Sequence, residues 1–383
     1  MAIAVWQVLL SAIRVDAGHD GRLREHLERA VEWPALYHLA DRHGVLPLVY
    51  TSLEQAGEDL IPPLELDRFR VAYRENAFRN LRLTHKLLVV LDLLGRHGID
   101  AIPFKGPSLA VDAYGDLTLR QFVDLDLLID GRNLDAACEL LPSIGFHPSM
   151  ALDSKRRRRL RMTARELAFS DGLDLLEIQW AVAERFVLTA REDAELRRPT
   201  RTLNVRGTSV RAVSEDAVLL FLCFHGAKHG WRELKWTADV AYFVSSHPGL
   251  DWDNLWSTAR RHGHARILAL GLGLAVDLFG LALPARVVSA VRGDRAAAKL
   301  AAQATSLFLG PGRVPGVLET WARVIRSRER WRDRIRCTLD LAVTPKPGDW
   351  LGLDLPRPLY PLYYVIRPFR LVAAARHRPA PRA

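Results

Sequence analysis

The stretch that decides the fold is FVDLDLLI at residues 122–129, in which acidic residues alternate with apolar ones. Alternation with a period of two is typical of a β-strand that has one buried face. Asp124 and Asp126 then project from one side, with their Cα atoms about 7 Å apart, while Leu125 and Leu127 point into a core. The pattern therefore predicts a strand that presents two neighbouring carboxylates.

Two explanations fit this D-x-D pair. Like charges placed so closely repel each other. In the first explanation, the strand face is solvated and neighbouring arginines pair with the two carboxylates. A divalent cation is the second, since Mg²⁺ is commonly held by one or two carboxylates together with substrate phosphates. The D-x-D pair alone leaves both explanations open.

A third acid lies further along the chain, in a predicted hairpin. Residues 166–170 and 173–180 flank Asp171-Gly172, and the Asp-Gly pair suits a tight two-residue turn. Glu177 stands between apolar residues of the second strand, in LLEIQW. If that strand lies beside 122–129, three carboxylates meet, which is costly without metal but suits a two-metal site for phosphoryl displacement. A charge on an edge strand is the alternative for Glu177.

Upstream of the D-x-D strand, the β-prone run IDAIPF at 99–104 leads into KGPS at 105–108 and then a helical stretch. Gly106 lets the backbone approach a phosphate, and the N-terminus of the following helix offers N–H groups to an anion. Lys105 would add a positive charge and Ser108 a hydroxyl donor. The motif predicts a phosphate site, although taken alone it also fits a simple helix start.

These elements follow one another as helix, strand, helix, strand, helix and hairpin. We therefore expect an α+β or α/β fold in which a small mixed sheet is flanked by helical N-terminal and C-terminal regions. Amphipathic periodicity at 64–97, and Ser214 as a helix cap before an apolar run, predict helices on both sides. The predicted divisions are a helical region at 1–97, the α/β core at 98–212, a helical domain at 213–344, and a linker, final helix and basic tail at 345–383.

Composition indicates a folded globular protein. Of 383 residues, 49% are hydrophobic and 26% are charged, which excludes a disordered chain. Lys and Arg number 54 against 44 Asp and Glu, giving a net charge of +10, and such a surplus, if clustered, favours polyanionic ligands. Three scattered cysteines exclude a disulfide scaffold and a thiolate zinc cluster, and favour a reducing, cytoplasmic environment.

Neither a secretory signal nor a membrane span is expected. The opening MAIAVW lacks a basic region. The most apolar segment, 267–283, is shorter than the roughly 20 residues that a bilayer requires, and it carries Asp277. A buried helix is the favoured interpretation of that segment.

Two further motifs have competing explanations. The run KRRRRLR at 155–161 fits a solvated helix face or an acidic or nucleic-acid partner, but no aromatic residues interleave it for base stacking. His225 and His229 have the i, i+4 spacing of zinc ligands without an evident third ligand. Buried histidines are therefore favoured, and a nucleotide or acceptor contact is the next alternative. No P-loop motif G-x-x-x-x-G-K-[ST] occurs in the sequence.

Several of these stretches carry a family resemblance when taken together. They are FKGPSL at 104–109, Tyr114, Arg120, VDLDLLI at 123–129, FHGAKHGW at 224–231, LKWTADV at 234–240 and the helical segment 33–48. In combination they resemble the bacterial "uncharacterised nucleotidyltransferase" family of the DNA polymerase β-like nucleotidyltransferase superfamily. The likeness spans approximately residues 20–370.

The resemblance implies a metal site on the sheet. In the superfamily, a D-x-D pair and a third acid from a neighbouring strand bind Mg²⁺. Here Asp124, Asp126 and Glu177 would be these metal ligands and the catalytic residues, with Mn²⁺ as the alternative ion. The third acid is Glu where Asp is common, and its extra methylene would shift or weaken a metal.

The resemblance also implies a nucleotide site. The turn that grips the triphosphate would be Gly106-Pro107-Ser108, preceded by Lys105, although the superfamily usually has Gly and Ser adjacent. Arg120 either meets the triphosphate or pairs with the acids of the D-x-D strand. The remaining candidate nucleotide contacts are Lys228 and Lys235.

The implied activity is transfer of a nucleotidyl group from an NTP to an acceptor, with release of pyrophosphate. The acceptor is an unidentified small molecule, peptide or protein, and a nucleic-acid partner is not favoured. Two alternatives stay open. One is a catalytically silent nucleotide- or partner-binding module, and the other is phosphoryl or glycosyl transfer at the same metal-phosphate site, in the tailoring of a peptide natural product.

Overall fold

A helical region precedes the first strand of the protein. The structure is a computed structural model, and it describes residues 2–16, 19–182, 188–309, 316–351, 353 and 355–376. The helices before the sheet are α1 (Ala2–Ala12), α2 (His19–Leu27), α3 (Trp33–Arg42), α4 (Leu46–Ala56) and α5 (Pro63–Arg96), with a 3₁₀ turn at Glu58–Leu60.

Proline and glycine set the ends of these helices. Pro34 and Pro63 stand in the first turns of α3 and α5, where a missing N–H removes no helical hydrogen bond. α5 is 34 residues long, and Gly98 beyond it has φ 70°, a left-handed conformation that glycine adopts without strain. The amphipathic helix predicted at 64–97 is therefore confirmed to within one residue at each end.

Strands and helices alternate in the next part of the chain. They are β1 (Ala101–Pro103), α6 (Gly106–Tyr114), β2 (Asp124–Ile129), α7 (Leu134–Leu140), β3 (His147–Pro148), α8 (Ser154–Thr163), β4 (Glu166–Ser170) and β5 (Leu175–Gln179), with 3₁₀ turns at Gly131–Asn133 and Leu141–Ile144. The five strands form one sheet in the order β1-β2-β5-β4-β3. β2 and β5 are parallel and every other neighbouring pair is antiparallel, so the predicted small mixed sheet is confirmed.

The predicted hairpin joins β4 to β5. Gly172 in its turn has φ 90°, but the predicted two-residue turn was wrong. Ser170 pairs with Leu175, so the loop spans the four residues 171–174. The Asp171 carboxylate stabilises this longer loop by accepting from the backbone N–H groups of Leu173 and Asp174. The hairpin places β5, and not β4, beside β2. That choice brings the acid of β5 next to the D-x-D strand.

A second hairpin follows, which the sequence analysis did not predict. After α9 (Ala190–Leu196), β6 (Pro199–Val205) and β7 (Thr208–Val213) pair antiparallel. Arg206 and Gly207 between them both have positive φ, 51° and 83°, as the two-residue turns of hairpins require. Arginine in that conformation is uncommon, so the dipeptide gives a weaker signal than Asn-Gly.

The remainder of the chain is helical. Its helices are α10 (Glu215–Lys228), α11 (Leu234–Ser246), α12 (Trp252–His262), α13 (Ala265–Phe279), α14 (Ala285–Gly293), α15 (Arg295–Leu309), α16 (Val317–Arg326), α17 (Trp331–Val343), α18 (Pro347–Leu351) and α19 (Leu362–Arg376), with a 3₁₀ turn at Arg357–Leu359. The Ser214 hydroxyl caps α10 by accepting from the Ala217 N–H, as predicted. α13 is largely buried, and no helix within the described ranges has the length and apolar character needed to cross a bilayer.

Two large hydrophobic cores underlie this arrangement, and a small third cluster lies between α16 and α17. The larger combines residues of α1–α4 with α10–α15, so the N-terminal and C-terminal helices pack as one body. The smaller lies beneath the sheet and includes Leu83, Leu87 and Leu94 of α5. The domain boundaries at 97, 212 and 344 stay predictions, because α5 contributes to both cores.

The C-terminal part of the chain packs against the sheet domain. The segment at 345–383 was predicted to begin with a linker. In the structure α18 begins at Pro347, and Trp350 and Tyr363 are buried in the core beneath the sheet. These two aromatic side chains pack the segment against that core, and the division at 345–383 stays a prediction. Of the predicted basic tail, residues 377–383 lie outside the described residues.

The basic run at 155–161 forms most of α8. Arg157 and Arg161 pair with carboxylates of α7 at 3.0–3.8 Å. Arg159 is buried, with its guanidinium 4.1 Å from the ring centre of Tyr360. These intramolecular contacts favour a packed helix face over a nucleic-acid site.

Candidate active site

Three acidic residues of β2 and β5 face one cleft. Leu125 and Leu127 are fully buried on the other side of β2, and burial of each contributes about 1.5–3 kcal/mol, which fixes the direction in which Asp124 and Asp126 point. Glu177 lies directly opposite Asp126 in the parallel register. All three acids line a cavity of about 580 Å³, so the structure brings the predicted acids together.

Lys105 lies among these acids. Its Nζ is 2.8 Å from Asp126 Oδ1, and it stands at the N-cap of α6, immediately after β1. Burial opposes its charge, but the carboxylates of Asp126, Asp124 and Glu177 together raise the pKa of Lys105 above its ordinary value. The lysine therefore stays charged and neutralises part of the acidic cluster.

One oxygen of Asp126 has no partner. The residue is 2% exposed, and among the described residues nothing forms a hydrogen bond with its Oδ2. Its Oδ1 accepts from Lys105 and from Gln179 Nε2 at 2.9 Å, and the same amide nitrogen lies 3.2 Å from Glu177 Oε2. A buried carboxylate oxygen without a donor is costly, and such an atom fits a cation ligand.

Sequence reasoning missed Gln179. Its amide bridges Asp126 and Glu177, and it stands in the same stretch as Glu177, LLEIQW. The signal was available, because Gln179 is two residues after Glu177 and side chains on a strand share a face at that spacing.

Burial and mutual repulsion shift the proton affinity of the acids. Burial, followed by the charge of Asp126, raises the pKa of Glu177 to about 7. The same two causes raise the pKa of Asp124, while Lys105 and Arg120 oppose the increase. The positive charges of the protein therefore compensate the negative charge of these acids only in part, as expected for a cation-binding or proton-accepting site.

The glycine turn lies against the D-x-D strand. Gly106 has φ 53°, and a Cβ at this position would lie 3.3 Å from the carbonyl oxygen of Asp124, so a side chain would crowd the strand. Ser108 is buried and its Oγ has no partner among the described residues. Only Lys105 of the KGPS motif lines the cleft itself, which places Gly106 and Ser108 behind the cleft wall.

Arg120 has a partner that the sequence analysis did not consider. It forms a two-pronged ion pair with Asp239 of α11, at 2.8 and 2.9 Å, and Tyr114 donates to the same carboxylate at 2.9 Å. Arg120 does line the cleft, but its guanidinium pairs neither with Asp124 nor with Asp126. Its positive charge acts on Asp124 from a distance.

The two predicted lysines of the helical region also border the cleft. Lys228 of α10 and Lys235 of α11 both line it, and Lys235 Nζ lies 2.7 Å from Glu233. The backbone N–H of Lys235 donates to the carbonyl of His43, and Gly44 packs against its side chain. The cleft is thus built by the N-terminal helices, the sheet and the C-terminal helices together.

His225 and His229 contact each other with tilted rings, and His229 stacks on Trp236. The two imidazole centres are 4.6 Å apart, and His229 lies 4.9 Å from the Trp236 ring. Burial, with the nearby lysines, lowers the pKa of His229 to about 3 and that of His225 well below its usual range. Both rings are therefore neutral at physiological pH, and both line the cleft.

Asp124 and Asp126 fit a metal ion that also takes ligands from a bound substrate. Over the described part of the chain, no group of three or more His, Cys, Asp or Glu side chains is arranged to hold a metal by itself. The unpartnered Asp126 Oδ2 and the adjacent Asp124 do supply the oxygen donors that Mg²⁺ prefers. They suit an ion that shares its coordination between one or two carboxylates and substrate phosphates.

Three solved structures share partial likeness with this chain. A solution structure of the antibiotic-resistance factor ANT(2'')-Ia is 17% identical, over 52% of this chain and 97% of that one, with a TM-score of 0.33. A crystal structure of ANT(2")-Ia in complex with adenylyl-2"-tobramycin is 15% identical, over 47% and 95%, with a TM-score of 0.33. An antigenic nucleotidyltransferase-like protein from Paracoccidioides brasiliensis is 17% identical, over 55% and 92%, with a TM-score of 0.35. Likeness at this level says nothing about the substrate of the present chain.

No protein of curated function matches this chain. The family model described as "Uncharacterised nucleotidyltransferase" matches residues 29–280. That range contains β1–β5, the acids of the cleft and the lysines that border it. A match over this much of the chain shows that the protein belongs to the uncharacterised nucleotidyltransferase family.

Proposed function

We propose that this protein is a Mg²⁺-dependent nucleotidyltransferase that transfers a nucleotidyl group from an NTP to an acceptor and releases pyrophosphate. The observation that carries the proposal is the buried Asp126, whose Oδ2 lacks a partner while Asp124 and Glu177 face the same cleft. Three acids on two adjacent strands, compensated only in part by Lys105, leave room for a cation that arrives with its substrate.

Asp124 and Asp126 would hold the metal ion, with Glu177 at the side of the acceptor. When bound, Mg²⁺, or Mn²⁺ in its place, offsets the negative charge of the triphosphate around the reacting phosphorus. Gln179 orients the carboxylates of Asp126 and Glu177 through its shared amide. Lys105 supplies a positive charge that reaches both the acids and the β- and γ-phosphates.

The reaction forms one bond and breaks one. A nucleophilic atom of the acceptor attacks the α-phosphorus, the bond to the β-phosphate oxygen breaks, and pyrophosphate leaves with the electron pair. Glu177 accepts the proton that the acceptor loses, a role that suits a carboxyl whose pKa lies near 7.

The other predicted contacts would act at the border of the cleft. Gly106 and Ser108 lie behind the cleft wall, so the N-terminus of α6 would favour the triphosphate through its dipole and not through direct contact with the Ser108 hydroxyl. Lys228 and Lys235 would meet phosphate or acceptor groups. Arg120 would contribute its charge through the cleft wall while it stays paired with Asp239.

Label transfer from NTPs tests the proposal. The purified protein is incubated with Mg²⁺ and each α-labelled NTP, together with candidate acceptors, and the products are analysed by mass spectrometry. Asp124→Asn with Asp126→Asn should abolish transfer. Because it also removes the ion-pair partner of buried Lys105, urea unfolding of the variant is measured first, and transfer is assayed where the variant is folded. The matched control, Asp92→Asn with Asp100→Asn, removes two exposed acids and should retain full transfer. Full turnover in the D-x-D double variant would refute the proposal.

A catalytically silent binding module is the second candidate. The observation that favours it is the ion pair between Lys105 and Asp126, which compensates the acids in part without metal or nucleotide. Isothermal titration with MgATP and MgCTP separates the two candidates. A silent scaffold for a protein partner would show no metal-dependent nucleotide binding, whereas the enzyme requires it.

A further inference from the structure

A buried arginine in the wall of the cleft has no assigned role. Arg328 lies just beyond the end of α16, outside the range of the family match. Its side chain lines the same cleft as Asp124 and Glu177, yet the residue is only 2% exposed. Within the described chain, its Nε has no hydrogen-bond partner, and no carboxylate forms an ion pair with its guanidinium.

The acids around Arg328 are engaged elsewhere or lie too far away to pair. Glu329 accepts from the backbone N–H of Arg266 at 3.2 Å, and Glu192 accepts from the backbone N–H of Thr189 and from the ring of His262. Asp333 Oδ2 is itself buried without a partner.

Arg328 nevertheless carries its charge at neutral pH. Burial lowers the pKa of its guanidinium to about 10, while Cys337, Asp333, Glu329 and Glu192 act in the opposite direction. A buried charge without a partner destabilises a protein strongly. Among the described residues the guanidinium of Arg328 thus lacks a counter-charge, and an anionic ligand can supply it.

The backbone holds this arginine in place. The carbonyl of Arg328 accepts from Arg266 Nη1 at 3.0 Å and from Arg334 Nε at 2.9 Å. Arg266 is in turn fixed by Asp294 at 3.0 Å. A side chain mounted on a rigid support can recognise a ligand group without a large loss of entropy on binding.

The position of Arg328 indicates which ligand it meets. Ala227 of α10 and Ser327, the neighbour of Arg328, line one small cavity. Lys105 Nζ lies 5.6 Å from the ring centre of Phe221, which stands earlier on the same helix. Arg328 and the turn proposed for the triphosphate therefore border the cleft at different points along α10.

We infer that Arg328 binds an oxyanion of the acceptor, so that the acceptor carries a carboxylate or a phosphate group. The guanidinium presents planar donors that match either group in a two-pronged contact. That the ligand is an acceptor rests on the proposed function, whereas anion binding at Arg328 does not.

The test is isothermal titration of two probes, inorganic phosphate and malonate, into protein saturated with Mg²⁺ and α,β-methylene-ATP, which cannot release pyrophosphate. Binding of the nucleotide itself is measured first. Arg328→Met is compared with wild type and with Arg326→Met, which removes an exposed arginine at the end of α16. At least one probe should bind wild type and Arg326→Met equally and Arg328→Met about 10- to 100-fold more weakly. The probe that binds more tightly identifies the group on the acceptor.

Stability gives an independent readout. Arg328→Met should raise the urea midpoint of the ligand-free protein, because it removes an unpaired buried charge. A lower midpoint that is restored by adding Asp333→Leu would show that Asp333 is the partner, and would overturn the inference. Equal probe affinity in Arg328→Met, no probe binding to wild type, or loss of nucleotide affinity in Arg328→Met would overturn it as well. If nucleotide does not bind at all, the proposed function fails, and the probes are titrated into the free protein to decide the role of Arg328 alone.

Discussion

Replacement of Asp239 by asparagine should destabilise the protein severely, because it strands the charge of Arg120. Asp239 is nearly inaccessible, and its carboxylate accepts both prongs of Arg120 and the hydroxyl of Tyr114. The Arg120 side chain is 10% exposed, so water does not compensate the guanidinium. Removal of one partner from a buried ion pair costs about 3–5 kcal/mol.

The comparison with other variants separates charge from packing. Tyr114→Phe removes one hydrogen bond to a charged group and should cost about 1.5–3 kcal/mol. Arg120→Met with Asp239→Leu removes both charges and should be less destabilising than Asp239→Asn alone, since no buried charge is left behind. Urea unfolding followed by tryptophan fluorescence measures each free energy, and an unchanged m-value shows that two-state comparison is valid.

The same series decides what Arg120 does. If Asp239→Asn costs less than about 1 kcal/mol, the range of an exposed pair, then Asp239 is not the structural partner and the reasoning is wrong. A large loss of stability with an unchanged KM for NTP in Tyr114→Phe would show that this triad holds α6 and α11 together. In that case Arg120 acts on the nucleotide only through its long-range charge.

Three further predictions concern the acids and the glycine turn. The pKa of Glu177 is raised to about 7, so its contribution to stability is present at acidic pH and is lost as the pH rises through about 7. In urea unfolding with EDTA, wild type should therefore lose more stability than Glu177→Gln between about pH 5 and pH 8, and Mg²⁺ should reduce that loss. Parallel pH profiles of the two proteins would contradict this prediction. Gly106→Ala should lower the free energy of unfolding, measured by urea titration, by about 1–2 kcal/mol, because φ is 53° and the new Cβ crowds the Asp124 carbonyl. An unchanged urea midpoint would show that the turn relaxes without cost. Asp174→Ala should lower the free energy of unfolding by about 1.5–3 kcal/mol, because buried Asp174 accepts from Arg82 and Lys86 of α5. The matched control Asp92→Ala removes an exposed i, i+4 pair and should cost about 0.3–0.5 kcal/mol. Equal losses in the two variants would refute the view that Asp174 anchors α5 to the hairpin.

The local pattern of the sequence was sufficient to predict the strand that carries the site. FVDLDLLI specifies which side chains face the core, because strand parity follows from the backbone alone. The hairpin at Asp171-Gly172 followed from turn chemistry. The helix at 64–97 followed from apolar periodicity and the residues at its ends. Each of these signals lies within a few neighbouring residues.

The sequence by itself therefore determined that Asp124 and Asp126 share a face, that Gly106 begins a helix after a strand, and that Glu177 lies in a strand between apolar residues. Only the tertiary structure decided that β5 lies parallel to β2, with Glu177 opposite Asp126. It also paired Arg120 with Asp239, 119 residues away, and placed Arg328 in the wall of the same cleft. The physical reason is that an ion pair needs only complementary charge and proximity, and proximity between distant segments is set by how helices and strands pack, which no local periodicity records.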